Sequence, residues 1–447
     1  MTNPVNHQPP PGPGPAPLGT ALLTDQYELT MLQASLRSGA ADRRAVFEVF
    51  ARHLPHGRRY GVVAGTGRLL DAIERFRFGP DDLEFLGGAG IVDEPTLAFL
   101  ESYRFSGNIW GYSEGDCYFP GSPILVVEGT FAEAVLLETM SLSILNHDCA
   151  IASAASRMVN AAGDRPLIEM GSRRTHERAA VASARAAYIA GFTSTSNLRA
   201  RYEFGIPSAG TSAHAFTLIH DSERHAFASQ LESLGKGTTL LVDTYDITIG
   251  IRRAVEVAGP KLGAIRIDSG DLSVLAGQSR ELLDSLGAID TKIIVSGDLD
   301  EYAIAALAAE PVDGYGAGTA VVTGSGAPAA GLVYKLVEVA GKPVVKRSEN
   351  KATVGGRKTA VRRHKPTGTA VEEIVAARCT PTAMPHDRAL QRPFVRGGTV
   401  VDDVPSLEDA RSLLRQNLIS IPWEGLKLSA GDPAIPVVVQ AAGGTGS

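Results

Sequence analysis

The sequence predicts an α/β protein organised around a parallel, barrel-like sheet. Three observations support this. From about residue 165, short apolar runs alternate with helical stretches at roughly 20–30 residues, the period of βα units. Four of those runs end in small or acidic residues: 240–246 (LLVDTYD), 265–271 (IRIDSGD), 293–300 (IIVSGDLD) and 312–319 (VDGYGAGT). Neither the region before 150 nor that after 332 keeps the rhythm. A second region is therefore expected, in which the C-terminal part packs back on the N-terminal part. An open doubly wound sheet is the alternative to a barrel for the repeating part, since the same units build both.

Along the chain, residues 1–20 form a Pro/Gly-rich tail that cannot pack. Residues 21–150 begin the second region, 151–331 are barrel-like, 332–439 return to the N-terminal part, and the Ala/Gly-rich 440–447 fray. Residues 24–39 place apolar side chains at helical spacing, with an acidic first turn and a terminal glycine. Residues 45–54 (AVFEVFARHL) partly alternate, as a half-buried strand does. A helix over 68–76, a strand over 123–129 and a long apolar helix over 131–145 follow. That helix is expected to end at His147-Asp148, a structural pair. In the repeating part, strands are read at 166–171 (PLIEMG), 192–196, 206–211 and the four runs above, seven in all. The helices between them are read at 175–190, 222–235, 247–258, 272–286 and 301–308. Residues 333–345 read as a hairpin, and the basic stretch 342–365 as a solvated hairpin face.

The composition is that of an ordinary globular protein: 447 residues, 44 % hydrophobic and 21 % charged. A net charge of −6 gives no attraction to nucleic acid or to an anionic membrane. No apolar run reaches the ~18 residues of a transmembrane helix, and the N-terminus lacks the basic start and apolar core of a signal peptide. Three widely spaced cysteines suggest neither a disulfide framework nor a zinc site, and a cytoplasmic setting is expected.

In parallel α/β proteins the C-terminal strand tips face the site. Asp243 and Asp246 stand at one tip. Arg266, Asp268, Ser269, Gly270 and Asp271 stand at the next, then Ser296, Gly297 and Asp298, then Gly316, Gly318 and Thr319. Glycines let backbone N–H groups approach phosphate oxygens, and carboxylates hold Mg²⁺ or ribose hydroxyls. At any single tip, capping of the next helix is the simpler reading. Four tips in succession point to a site for a phosphate-bearing sugar and its metal. Upstream, His214 lies in GTSAHAF, where Gly210, Thr211, Ser212 and Ala213 leave its imidazole approachable. A neutral imidazole attacks phosphorus, and Asp243 is the candidate that orients it. Arg173 and Arg174 come just after PLIEMG, where a guanidinium suits a carboxylate or phosphate; a pair of surface ion-pair arginines is the equal alternative. No GxxxxGK[ST] loop is present, so any ATP is bound without one.

At these residues the chain resembles the nicotinate phosphoribosyltransferases, of the type II phosphoribosyltransferase group. The resemblance rests on LLTDQYELTM, FEVFARHLP, IEMGSRR, GTSAHAF, VDTYD, RIDSGD, SGDLDE, GAGT and YKLVE, in that order. It implies an incomplete TIM-like α/β barrel beside an α/β sandwich domain to which both chain ends contribute. It also implies transfer of phosphoribose from 5-phosphoribosyl-1-pyrophosphate (PRPP) to nicotinate, coupled to ATP through a phosphohistidine with Mg²⁺, in a homodimer with shared sites. Carried over by motif, His214 is the phosphorylated residue. Tyr27 stacks on the pyridine from the neighbouring subunit, and Met170 stands where many relatives have an aromatic. Arg173 faces nicotinate, Arg266 approaches the ligand, Asp268 and Asp298 meet ribose or the metal–pyrophosphate, and Gly316–Thr319 cradle the 5′-phosphate. Related nicotinamide enzymes carry an aspartate at the place of Ser196. Serine, or Asn197 beside it, donates to a carboxylate that an aspartate would repel.

The alternatives are a nicotinamide or quinolinate phosphoribosyltransferase on the same scaffold, and a non-catalytic binder of PRPP or a nucleotide. An aldolase-type barrel fits less well, because Lys236, Lys261 and Lys292 precede strands instead of ending them.

Overall fold

The computed structural model describes residues 19–346 and 354–441. The proline-rich tract to residue 17, Arg347 and Lys351 of the basic stretch, and residues 442–447 lie outside the described residues.

Among the described residues, six short strands form one parallel sheet. Their spatial order is Ser194–Thr195, Leu167–Glu169, Gly314–Ala317, Lys292–Gly297, Ala264–Ile267, Thr239–Leu241. Leu240, Ile265, Ile267, Ile293 and Val295, which share one face of the sheet, are fully buried. The result is a half-barrel. It has one strand fewer than the sequence suggests, because 206–211 supplies only a bridge between Thr195 and Ser208. Pro207 has no N–H for a ladder there. Asp246, Asp271 and Asp300 cap the helices that follow their strands, each accepting a backbone N–H of the first turn. Gly250 lets the helix Ile247–Ala258 press on the sheet, since a Cβ there would fall 2.3 Å from the Val242 carbonyl oxygen.

Beside the half-barrel stands a seven-stranded antiparallel sheet. Its order is Lys342–Pro343, Leu332–Val339, Arg44–Ala51, Leu125–Thr130, Asn108–Tyr112, Gln391–Arg396, Thr399–Val400. The strand Arg44–Ala51 pairs with Leu332–Val339 on one side and Leu125–Thr130 on the other, so both chain ends build this layer. A four-stranded sheet, Arg388–Ala389, Lys358–His364, Ala370–Ala377 and Val437–Ala441, completes the C-terminal part. Gln440 and Ala441, read from sequence as a fraying end, are ladder residues paired with Ala376 and Ala377. Thr20, read as tail, is buried and donates its hydroxyl to the Ala72 carbonyl.

The helix Glu138–Ala162 joins the two layers. Met140, Leu145, Cys149 and Ala150 belong to the sandwich core, and Ile151, Ala152, Ala155 and Met158 to the half-barrel core. The apolar segment expected over 131–145 is instead a short helix, Phe131–Val135, followed by this 25-residue one. His147 and Asp148, expected at a helix end, sit mid-helix. Asp148 is fully buried and takes both Arg68 at 2.8 Å and His147 at 2.8 Å. Alanine and serine carry the rest of the helix through the interior, where small side chains admit neighbours on every face.

Among the described residues the basic stretch is a solvated face only in part: Lys342, Lys346 and Lys365 are exposed, and others are paired. Lys358 pairs with buried Glu48 at 2.6 Å, and Arg362, 0 % exposed, with Glu373 at 2.8 Å. Arg363 meets Glu372 and Asp387, and Arg357 meets Glu128. Glu48 and Glu128 are remote in sequence, and Glu372 and Glu373 come from the neighbouring strand of a hairpin, so composition alone does not reveal the pairings. No described helix is long and apolar enough to cross a membrane.

Candidate active site

Parallel strands put their C-terminal tips along one edge of the half-barrel. Asp243 follows the strand Thr239–Leu241, its side chain 1 % exposed. Its Oδ2 accepts from the Asp268 backbone N–H at 2.8 Å and from the Ser269 hydroxyl at 2.7 Å. Its Oδ1 has no hydrogen-bond partner among the described residues and lies 4.0 Å from His214 Nε2. An unpaired carboxylate oxygen in such a place is costly, and a donor brought to it would relieve that cost. His214 opens the helix His214–Leu218, its side chain is 41 % exposed, and its Nδ1 lies 3.1 Å from Thr244 Oγ1.

At the next two tips, three side chains interlock. Arg266 Nε donates to Ser296 Oγ at 2.7 Å, Arg266 Nη2 donates to Asp268 Oδ1 at 2.9 Å, and the Ser296 hydroxyl donates to the same oxygen at 2.5 Å. Burial pushes the Asp268 carboxyl up, but the Ser296 bond and the bond and charge of Arg266 outweigh it, with a smaller pull from His214. The carboxyl is held below its ordinary range. Its second oxygen accepts no hydrogen bond among the described residues.

Glycines bring the remaining tips close. Gly297 has φ 134°, and a Cβ on it would stand 3.3 Å from the Asp268 carbonyl oxygen. A Cβ on Gly316 would fall 2.8 Å from Met170 Sδ and 3.1 Å from Ser296 Cβ, and one on Gly318 would fall 3.1 Å from the Met170 carbonyl oxygen. The Met170 side chain therefore lies against the Gly316 tip. Gly270 turns the backbone after Ser269 with φ 85°. Thr319 is the exposed first residue of the short helix Thr319–Val322.

On the Leu167–Glu169 side, Arg173 is exposed and makes no ion pair among the described residues. Ser196 is exposed, and its backbone N–H donates to the Glu169 carbonyl at 2.8 Å. Asn197 is more committed: Nδ2 donates to Ser172 Oγ at 3.0 Å while Oδ1 caps the helix Leu198–Phe204. Thr211 and Ser212 directly precede His214. Asp298 is exposed beyond Gly297 and has no partner among the described residues. Asp271 is a helix cap, the simpler of its two readings. Tyr27 is not gathered with these groups. It lies on the helix Gln26–Ser38 beside Glu138, where burial and the charges of Glu138 and Glu28 push its hydroxyl up to about 12.

Sequence reasoning passed over Glu169, Thr195 and Thr244. The signal for the first was a lone carboxylate inside an apolar strand, PLIEMG. Among the described residues, no three of His, Cys, Asp and Glu are set to hold a metal. The open oxygen of Asp268 and the exposed Asp298 instead suit a magnesium ion that brings phosphate and water ligands of its own.

Comparison with known proteins gives the family. Residues 22–146 match the family model described as the nicotinate phosphoribosyltransferase (NAPRTase) N-terminal domain. Nicotinate phosphoribosyltransferase pncB1 of Mycobacterium tuberculosis is 62 % identical over 425 residues, covering 93 % of this chain and 94 % of that protein. Nicotinate phosphoribosyltransferase of Bacillus subtilis is 40 % identical over 357 residues, 76 % of this chain and 73 % of its own. The crystal structure of human nicotinic acid phosphoribosyltransferase superposes with a TM-score of 0.81 at 26 % identity, covering 94 % of this chain and 97 % of that one.

Proposed function

The chain belongs to the nicotinate phosphoribosyltransferase family, and from that premise we propose that it joins nicotinate to PRPP, coupled to ATP hydrolysis through His214. The products are nicotinate mononucleotide and pyrophosphate, the entry of nicotinate into NAD salvage. The observation that carries the reading is the meeting of His214 and the unpaired Asp243 oxygen with the Arg266–Asp268–Ser296 cluster on one sheet edge.

In this mechanism Asp243 holds the proton on His214 Nε2, and Nδ1 keeps a lone pair. That nitrogen takes the γ-phosphoryl group of ATP, releasing ADP. Thr244 lies against the same nitrogen and sets the ring's rotation. When PRPP is bound, the bond from ribose C1 to the pyrophosphate oxygen breaks as the pyridine nitrogen forms its bond to C1. No general base is needed, because that nitrogen carries no proton at neutral pH. Positive charge builds on C1 and the ring oxygen, and Asp268, held ionised by Arg266 and Ser296, is preorganised to face it. Asp268 and Asp298 would hold a magnesium ion, directly or through water, and the ion would supply charge neutralisation of the pyrophosphate. Gly316, Gly318 and Thr319 offer backbone N–H groups to the 5′-phosphate. Arg173 and Ser196 receive the nicotinate carboxylate, and Met170 packs on the ring. Water finally hydrolyses the phosphohistidine to histidine and phosphate.

The reading extends to a homodimer in the cytoplasm. Leu198, Tyr202, Leu218, Ile219, Tyr245 and Ile249 are exposed large apolar side chains on the elements that follow the site residues. In this reading a second copy covers them, and Tyr27 of the dimer is the residue that stacks on the ring. The reading is tested by measuring pyrophosphate release from PRPP with nicotinate, nicotinamide or quinolinate, each with and without ATP–Mg²⁺. Release with nicotinate alone, raised by ATP, supports it. Release with nicotinamide refutes the role of Ser196, and no release with any of the three refutes catalysis.

A further inference from the structure

Two loops carry the residues assigned above to the nicotinate carboxylate: Gly171–Arg173 after one strand, and Ser196–Asn197 after its neighbour. Both are short and lie at the surface, so something must hold them in register. Beneath them lies Glu169, 1 % exposed, with no cationic partner among the described residues. Its Oε1 accepts the Gly171 backbone N–H, and its Oε2 accepts the hydroxyl of Thr195, which is 0 % exposed. The Thr195 oxygen in turn accepts the Asn197 backbone N–H at 3.0 Å. Asn197 Nδ2 closes the circuit on Ser172 Oγ at 3.0 Å. Gly171 admits the arrangement because it has no side chain: a Cβ there would stand 2.2 Å from Val322 Cγ1 and 2.8 Å from Glu169 Oε1.

A carboxylate suits this place in a way that an amide does not. Both groups facing it are donors, and a glutamine would turn its own N–H₂ toward one of them. The arrangement has little to do with the strand ladder, which already pairs Glu169 with Thr195 through the backbone. What the side chain adds is a tie between the loops beyond the ladder.

We propose that Glu169 is a positioning residue that locks the Arg173 loop to the Ser196 loop through Thr195, and so sets the enzyme's grip on the carboxylate of its pyridine substrate. This rests on the nicotinate reading above. Loosening the lock displaces Arg173 and Ser196 from each other while leaving the His214 and Asp268 tips untouched. The signature is therefore a split between substrates.

The test measures KM for nicotinate and for PRPP separately in the full chain, with His214 phosphorylation by ATP as a third reading. Thr195→Val removes the link and Thr195→Ser keeps it. Glu169→Gln weakens it at one donor. For Thr195→Val the KM for nicotinate is expected to rise on the order of 10- to 100-fold, with KM for PRPP and the phosphorylation rate unchanged. Thr195→Ser restores the wild-type value, and Glu169→Gln falls between. Equal movement of both KM values in Thr195→Val, or no movement in an active wild-type background, overturns the proposal. A wild-type enzyme that ignores nicotinate overturns the nicotinate reading and the proposal with it, and that failure is visible without any variant. If Glu169→Gln does not fold, the Thr195 pair still decides.

Discussion

Asp243→Asn tests whether a carboxylate governs the tautomer of His214. The substitution preserves shape but turns one oxygen into an N–H₂. Its orientation is dictated by the surroundings. Oδ2 accepts both the Asp268 N–H and the Ser269 hydroxyl, and abandoning either donor costs about 1–3 kcal/mol. The asparagine oxygen therefore stays there, and the amide N–H₂ faces His214 Nε2. Two donors cannot face each other, so the imidazole gives up the Nε2 proton and carries it on Nδ1, where Thr244 Oγ1 accepts it. The nitrogen that should attack phosphorus is then blocked. The corresponding exchange in a serine-protease triad costs about 10⁴ in rate, about 5.5 kcal/mol at 1.36 kcal/mol per decade. Here the pair stands 4.0 Å apart and His214 is 41 % exposed, so water competes for the ring. A loss of roughly 10²- to 10⁴-fold is expected, the upper end if ligand binding closes the gap. The assay is single-turnover transfer of label from γ-labelled ATP into acid-labile phosphohistidine, beside pyrophosphate release without ATP. The first should collapse while the second stays near wild type. Phosphohistidine formation at the wild-type rate would refute the tautomer argument.

Three further outcomes follow from the described geometry. Lys358→Met strands Glu48, whose side chain is 1 % exposed and whose carboxyl burial already pushes up despite Lys358, and should cost about 3–5 kcal/mol in urea unfolding. The double variant with Glu48→Gln should recover much of this, and a single variant as stable as wild type would contradict the pairing. Gly250→Ala drives a Cβ to 2.3 Å from the Val242 carbonyl oxygen and should destabilise by about 1–3 kcal/mol, read as a lowered thermal midpoint. In Asp148, burial pushes the carboxyl up, but Arg68 and His147 outweigh it and hold it below its ordinary value. A depressed acid stabilises the fold above its unfolded pKa of about 3.9 and loses that contribution only as pH falls through the folded value. The urea-midpoint gap between wild type and Asp148→Asn should thus not narrow between pH 7 and pH 5, where a charged His147 only adds to it, and should shrink only below about pH 4. A gap already closing between pH 7 and pH 5 would contradict the pairing.

What could be read from the sequence was whatever is local. The helix Ile247–Ala258 agrees with its expected limits, because an aspartate cap opens it and glycine closes it. The strand tips were legible because apolar runs stopped at acids and glycines. The strand expected over 206–211 failed on Pro207, a local signal outweighed by the βα rhythm. Other misses were non-local. Arg362 and Lys358 look like surface charge until the folded chain brings Glu373 and Glu48 to them. Asp148 looks like the end of an apolar helix until Arg68, on another helix, neutralises it inside one. At the site, His214, Asp243, Arg266, Asp268 and Ser296 were expected together and lie together. Glu169 and Thr195 were passed over because their roles depend on which strand neighbours which.

The antiparallel layer imposes an order on synthesis. Its interior strand Arg44–Ala51 is made early, yet one neighbour in the ladder begins at Leu332. At roughly 5–20 residues per second, the ribosome takes on the order of 15–55 s to make the intervening chain. Through that interval the edge of Arg44–Ala51, rich in valine and phenylalanine, has a partner on one side at most, and it emerges well before the half-barrel has been made. The half-barrel strands come from one continuous stretch, but their core also takes Tyr60, Phe119, Leu414 and Ile421 from the two chain ends. Any stalled or shortened chain that stops before Leu332 should therefore be aggregation-prone through that one edge.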